Sequence, residues 1–372
     1  MFPALRANDV VYLNSGGSGP PTEETLSAMQ EADEFFSGSV YLEGIGLFAK
    51  QAGINTRARE AAANLVNASP EDVALTQNTT HGMNLGVGAI DWKPGDTVVS
   101  TTTEHPGCLV PLHNLKKRFG VETVLVQPPI TADKIQAALT PSTRLIAFSH
   151  VDWTTGEVLP LQEICTLARD RGVLTLVDGA QSVGNIPVDL PATSVDMYAF
   201  TGHKWVLGPE GIGAFYVRPD LDVPSPNVGY AAVSENTPFE MHGDYELRPN
   251  ARRFEASTVS PTLAAGFAAA ADATRELGEE GFEGIRHRAD LLLENLSKVP
   301  QVATRSPRPA QSGLVAFEIE SMASKEAVSR LLEQGFVVRF IPDPHPYVRV
   351  STHLFNTEEE VAALANAVAG LV

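Results

Sequence analysis

Cysteine is nearly missing from this chain: of 372 residues only Cys108 and Cys165 carry a thiol. Two thiols cannot build a disulfide framework or, within one chain, a four-thiolate metal site, and a reducing, cytoplasmic compartment is the expectation. Basic charge is also scarce. With 27 Lys and Arg against 45 Asp and Glu, and a formal charge of -18, the surface is poorly matched to a nucleic-acid backbone or an anionic membrane. Long apolar runs are absent as well: the Ala-rich "LAAGFAAAADA" is too short and small-sided to span a bilayer, and "MFPALRANDVVYLN" lacks a basic segment followed by an apolar one. There is no internal repeat and no low-complexity tract. These absences leave a soluble chain, long enough for a large and a small lobe sharing an interface.

What is present is alternation. Short β-branched runs ("DVALT", "DTVVST", "ETVLVQ", "TRLIAFSH", "VLTLVDG", "DMYAFTG", "GAFYVR") are separated by stretches apolar at helical spacing, such as "PLHNLKKRF", "ADKIQAAL" and "LQEICTLARDRG". Strand–helix alternation predicts an α/β domain with a mostly parallel sheet covered on both faces, and residues 19–253 are assigned to it. Beyond "NVGYAAVSENTPFE" come long helices ("PTLAAGFAAAADATRELG", "IRHRADLLLENLSKV") and then strands ("GLVAFEIE", "GFVVRFI", "YVRVSTH"). Residues 1–18 and 254–372 are therefore expected to form a smaller α+β domain.

In open α/β sheets ligands gather at the carboxyl ends of the strands, so polar residues just after each run are the candidates. They are Asn78, Thr79, Thr80 and His81 after "VALT"; Glu104 and His105 after "VVSTTT"; Asp178 and Gln181 after "LTLV"; and Thr201, His203 and Lys204 after "MYAF". A lysine amine condenses with an aldehyde, a carboxylate beside a pyridine nitrogen keeps it protonated, and hydroxyls with N–H groups at a helix start, as in "NTTHGMNLGVGAI", hold phosphate. This set points to pyridoxal 5'-phosphate. In "YVRVS", Tyr347, Arg349 and Ser351 share one strand face and Val348 and Val350 the other, so the Arg349 guanidinium can grip an amino-acid carboxylate as a bidentate pair.

"VDGAQSVG", with its aspartate 26 residues ahead of the lysine of "TGHKWVLGPEGIG", resembles the core signature of class V aminotransferase-fold enzymes, the group of cysteine desulfurases and C–S lyases. The similarity extends from "YLNSGGSGPP" through "EHPG" and "RRFEAST" to "VRVSTHLFNTEEE", and the style of "EHPG", "YAFTGHKW" and "QSGLV" is most similar to the cystine/cysteine C–S lyases. The resemblance implies the aspartate-aminotransferase-like fold, with a mostly parallel seven-stranded sheet, and a homodimer with active sites at the subunit interface. It implies Lys204 as Schiff-base lysine and proton carrier, Asp178 as pyridinium partner, Gln181 at the ring oxygen and His105 stacked on the ring. Thr80, His81, Thr201 and His203 would serve the cofactor, with Thr258 reaching the phosphate of the neighbouring subunit. Arg349, Arg339, Asn14, Gly16 and Thr154 would lie near an amino-acid substrate.

Two departures carry information. Where the family commonly has asparagine before Thr-Gly, "WTTG" places Thr154, and the "RFIPDP" stretch that would hold a desulfurase cysteine has none. A lyase releasing sulfur by α,β-elimination is thus expected, with an aminotransferase, an epimerase, a desulfurase or a non-catalytic cofactor-binding protein as alternatives. His242, His345 and His353 read as ordinary loop or surface residues, the two cysteines as helix residues, and no metal site is expected.

Overall fold

A computed structural model of the chain describes residues 2–39, 45–235, 243–342 and 344–372; His242 lies outside them. The first part of the chain runs α1 (Pro3–Arg6), β1 (Val11–Tyr12), α2 (Glu23–Ser39), α3 (Ile45–Asn64), β2 (Val73–Thr76), α4 (Thr79–Gly88), β3 (Thr97–Thr101), α5 (Pro106–Phe119), β4 (Glu122–Val126), α6 (Ala132–Ala138), β5 (Thr143–Ser149), α7 (Leu161–Asp170), β6 (Leu174–Asp178), β7 (Met197–Thr201) and β8 (Gly213–Val217). The seven β-branched runs all become strands of one sheet, in the order β2-β8-β7-β6-β5-β3-β4. Only β8 runs antiparallel to its neighbours; the other pairings are parallel.

Strand periodicity sends alternate side chains to opposite faces. On β7, Tyr198 and Phe200 enter one apolar core with α3 and α7, while Met197 and Ala199 enter another with α4 and α5. Covered on both sides, the sheet exposes only its strand ends as places for polar chemistry.

The second part runs α8 (Pro261–Glu276), α9 (Gly278–Leu296), β9 (Val302–Thr304), β10 (Leu314–Ile319), α10 (Ser324–Glu333), β11 (Phe336–Val337), β12 (Arg339–Phe340), β13 (Val348–Ser351) and α11 (Glu358–Ala369). A four-stranded sheet in the order β12-β13-β10-β9 shares an apolar core with α9 and α11. Leu13 joins that core, tying the start of the chain to the small lobe. At the end, α11 begins with a capping box in which Thr357 and Glu360 satisfy each other's backbone N–H groups.

Core packing runs across the expected boundary after residue 253. Helix α8 packs against α2 and α3, and its Ala264, Phe267, Ala268, Ala270 and Ala271 belong to the large-domain core. Its small residues permit this close approach: a Cβ at Gly266 would come within 2.4 Å of Met29 Cγ. The run "GFVVRFI" also divides. Residues 336–337 pair in parallel with β1, whereas residues 339–340 pair antiparallel with β13, which sets Arg339 directly opposite Arg349.

Candidate active site

The carboxyl ends of β5, β6 and β7, the starts of α4 and α5, the 16–17 turn and the β12–β13 pair enclose a cavity of about 410 Å³. It is lined by Lys204, Asp178, His105, Thr80, Gln181, Thr201, His203, Gly16, Arg339 and Arg349, and also by Gly17, Asn78, Thr79, Ser149, Trp153 and Ala180.

Asp178 ends β6 and is 6 % exposed; its Oδ1 accepts the N–H of Ala180 at 2.9 Å. Burial raises its pKa and the nearby Lys204 opposes that rise. Lys204 is lowered to about 8, first by burial and then by Arg349 and Arg339, with Asp178 pulling the other way. An amine so placed is partly neutral near neutral pH, as a nucleophile or proton carrier must be. Its backbone is also held. Gly19 donates its N–H to the His203 carbonyl at 2.7 Å, and a Cβ at Gly19 would meet the Lys204 carbonyl at 2.1 Å, so only glycine fits there.

Features suited to a phosphate sit at a helix start. Asn78 caps α4, its Oδ1 accepting the N–H of His81 at 2.9 Å, and leaves Thr79 and Thr80 in the first turn, facing the cavity. The Thr79 hydroxyl is buried without a partner. Thr201 Oγ1 and His203 Nδ1 are paired at 2.7 Å on the same side of the cavity, since a Cβ at Gly213 would lie 3.0 Å from Thr201 Cα and 3.3 Å from the Cα of the cap Asn78.

His105 caps α5, its Nδ1 accepting the Gly107 N–H at 3.0 Å, and its ring meets Trp153 edge-on at 4.8 Å between centroids. Burial, with Lys204 and the two arginines, lowers its pKa to about 4, so it is a neutral ring that can lie on an aromatic face. Gln181 is already engaged at both ends: Nε2 donates to the Gly16 carbonyl at 2.9 Å and Oε1 accepts Trp205 Nε1–H at 2.7 Å.

At the other end Arg349, 1 % exposed, donates from Nη1 to the Trp153 carbonyl at 2.8 Å, while its Nε and Nη2 are buried with no partner. Ser351 Oγ nearby is likewise buried and unpaired. Burial and Arg339 lower Arg349 to about 9. A fork of guanidinium donors held open in this way fits a carboxylate.

Four expected site residues do not line the cavity. His81 turns its ring back, Nδ1 accepting the Gln77 N–H at 3.2 Å, and contributes only its backbone to the α4 start. Thr154 gives its hydroxyl to Asp152 Oδ1 at 2.5 Å; this tight Asx cluster leaves Trp153 as the residue of "WTTG" facing the cavity. Asn14 lies behind the turn, its carbonyl accepting the Gly17 N–H at 2.9 Å. Thr258 is exposed and bonded to the Tyr230 hydroxyl at 2.6 Å. His353 is buried at 2 % exposure rather than on the surface, Nδ1 accepting the Leu354 N–H at 2.9 Å, which leaves Nε2–H to donate to the Trp205 carbonyl at 3.1 Å.

The unpaired Thr79 hydroxyl at a helix start, a buried carboxylate, a depressed lysine and an open guanidinium fork together fit pyridoxal phosphate and an amino acid. The chain matches aminotransferase class V over residues 11–364. It belongs to that family. Class V relatives include a cysteine desulfurase of Haloferax volcanii, 30 % identical over 96 % of this chain and 88 % of its own length. An isopenicillin N epimerase of Streptomyces clavuligerus is 28 % identical over 97 % of this chain and 95 % of its own. Among solved class V structures, the cystine C–S lyase C-DES in complex with its reaction product cysteine persulfide superposes with a TM-score of 0.91 at 31 % identity, covering 99 % of each chain. A lysine-to-alanine variant of C-DES, with glycine covalently linked to the PLP cofactor, superposes with the same TM-score over 99 % of this chain and 98 % of its own. This chain is accordingly a PLP-dependent enzyme of the desulfurase and C–S lyase group. Among the described residues no helix is long and apolar enough to cross a membrane, and no cluster of three His, Cys, Asp or Glu could hold a metal.

Proposed function

We propose that the enzyme is a C–S lyase that cleaves cystine-type amino acids by α,β-elimination. The observation that carries this reading is a cavity holding a lysine, an aspartate and two guanidinium groups but no thiol. Both cysteines are buried in apolar cores, Cys108 with its pKa raised and Cys165 pushed up to about 12, so neither offers a thiolate nucleophile to sulfur. Sulfur then has to leave with the eliminated fragment.

Bound pyridoxal phosphate supplies an aldehyde for the substrate amine and an electron sink for the Cα carbanion. Arg349 takes the α-carboxylate in its open fork and fixes the Cα–H direction. Lys204, as free amine, removes that proton and carries it. Asp178 would hold the charge at the cofactor's ring nitrogen, His105 would cover its ring, and the α4 start with Thr80, Thr201 and His203 would hold its phosphate. The Cβ–S bond breaks with its electron pair going to sulfur, and a persulfide accepts that pair better than an alkyl thiolate. Cystine and water give cysteine persulfide, pyruvate and ammonia. Arg339, opposite Arg349, supplies a second cation for the second carboxylate of cystine.

The exposed Thr258 fits a homodimer in which it reaches the partner's phosphate site. A desulfurase reading has the names of several relatives behind it, and it predicts alanine instead of pyruvate. Incubating the purified enzyme with cystine and measuring the three-carbon product decides between them: pyruvate supports elimination, and abundant alanine overturns it.

A further inference from the structure

Glu104 has no part in the reaction above, yet it is 4 % exposed and lies directly behind the site. Its carboxyl collects three donors. Oε1 accepts the Thr101 hydroxyl at 2.8 Å and the Ser149 N–H at 3.0 Å, whereas Oε2 accepts only the Ser149 hydroxyl, at 2.5 Å. All three donors are neutral. Among the described residues the titratable groups facing it are Asp178 on β6 and the Cys108 thiol on α5, and no cation enters the balance.

Ser149 connects this carboxyl to the cavity: it ends β5, lines the cavity, and is the register partner of Asp178 on the adjacent strand. A hydroxyl has one proton and two lone pairs. While Glu104 is ionised, Oε2 can only accept, so the Ser149 proton points away from the cavity and lone pairs remain for an occupant. A proton on Oε2, the carboxyl oxygen with a single donor, reverses this: the acid donates to Ser149 Oγ, and the Ser149 hydroxyl is free to donate into the cavity.

We propose that Glu104 is a positioning residue that acts through Ser149, setting whether the cavity wall beside Asp178 accepts or donates a hydrogen bond. One proton, taken from and returned to solvent, is the whole change. Glu104 is poised for it because burial, augmented by Asp178, lifts its carboxyl to about 7 against the pull of its three donors. The inference rests on pyridoxal phosphate occupying this cavity, but not on which bond of the substrate is broken.

The test uses holoenzyme containing glutamate 13C-labelled at the carboxyl, titrated by NMR between about pH 5.5 and about pH 8.5 alongside the visible band of the bound cofactor. In the wild type one carboxyl signal, missing from Glu104→Gln, titrates near neutrality, and the band shows a step at the same midpoint. Ser149→Ala keeps the backbone N–H donor and removes the hydroxyl. There the carboxyl still titrates near or above neutrality, but the band loses that step. The proposal is overturned by a Glu104 signal in the ordinary carboxylate range, by a wild-type band without a step at that midpoint, or by a step that survives in Ser149→Ala. If cystine yields no pyruvate while these titrations behave as expected, the lyase reading fails and the relay stands.

Discussion

The two ends of the cavity are built in opposite ways. At the cofactor end, most polar side chains are already partnered by the protein, the Thr79 hydroxyl excepted: Asp178 with Ala180, His105 with Gly107, Thr201 with His203, Gln181 with Gly16 and Trp205. At the substrate end, Arg349 leaves two buried nitrogens and Ser351 a buried hydroxyl without partners. The first end stands on large-domain strands and helix starts, the second on the small-domain β12–β13 pair. Buried polar groups that lack partners cost stability, and that cost is recovered only when a ligand supplies them. The contrast describes a preorganised seat for a resident cofactor facing a binding fork for a ligand that comes and goes.

The largest expected effect tests the cofactor end. On the proposed function Lys204→Ala removes both the amine that condenses with the aldehyde and the proton carrier, so turnover should fall by about 10³-fold or more. Cofactor binding should persist in part through the phosphate contacts, and borohydride should fix cofactor to the Lys204 peptide of the wild type only. Label on another lysine would remove the assignment.

Arg349→Met sharpens the comparison because its two consequences have opposite signs. Losing a bidentate grip on a carboxylate should cut kcat/KM by about 100-fold or more, chiefly through KM. Removing a buried cation with unmet donors should at the same time stabilise the apoprotein by about 1–3 kcal/mol, read as a higher unfolding midpoint. A destabilised variant would mean that the bond to the Trp153 carbonyl outweighs the two unmet nitrogens, and the substrate end would then be as self-sufficient as the cofactor end.

Much of the cofactor end was legible in the sequence because strand ends are marked by where apolar runs stop: Asp178, Thr201 and Lys204 all follow from that rule. The same rule could have found Ser149, the last polar residue of "TRLIAFS", and Trp153 in the loop just beyond it. Spacing alone does not reveal that Asp152 ties up the Thr154 hydroxyl and leaves Trp153 facing inward. His353 escaped because its burial depends on Trp205 and Phe355 stacking against its ring, contacts made across 148 residues in the case of Trp205. Helix α8 is hard to place from sequence for a similar reason. An Ala-rich helix does not declare which core it fills, and its partners α2 and α3 come from the other end of the chain.

His353 bears on the comparison at its hinge, where the small lobe holds the Trp205 carbonyl beside Lys204. Burial lowers its pKa to about 4, as it does that of His150. The unfolded chain therefore binds protons at higher pH than the folded one, so these residues contribute stability that is complete above about pH 6.5 and is lost as pH falls toward about 4. Glu104, raised to about 7, has the opposite sign: its contribution is complete below the ordinary glutamate range and is lost as pH rises through 7. With three histidines, His105 included, against one glutamate, the apoprotein should lose roughly 2–4 kcal/mol on going from about pH 7 to about pH 5. His353→Gln should flatten that slope and Glu104→Gln should steepen it in denaturant titrations at several pH values. Equal slopes in all three proteins would remove these groups from the balance.

The smallest expected effect concerns the two thiols, which belong to neither end of the cavity. Cys108 and Cys165 are both fully buried, in the cores on opposite faces of the large sheet, and act there as small apolar side chains. Replacing both with serine should leave most sulfur release from cystine intact, with a packing and desolvation loss of about 1–3 kcal/mol in stability. Such a loss would lower the unfolding midpoint without changing the ratio of pyruvate to alanine. If the double variant instead remains folded and loses sulfur release, a thiol takes part in the chemistry. One of the two cores would then have to open during turnover, and the division between a finished cofactor seat and a waiting substrate fork would no longer account for the reaction.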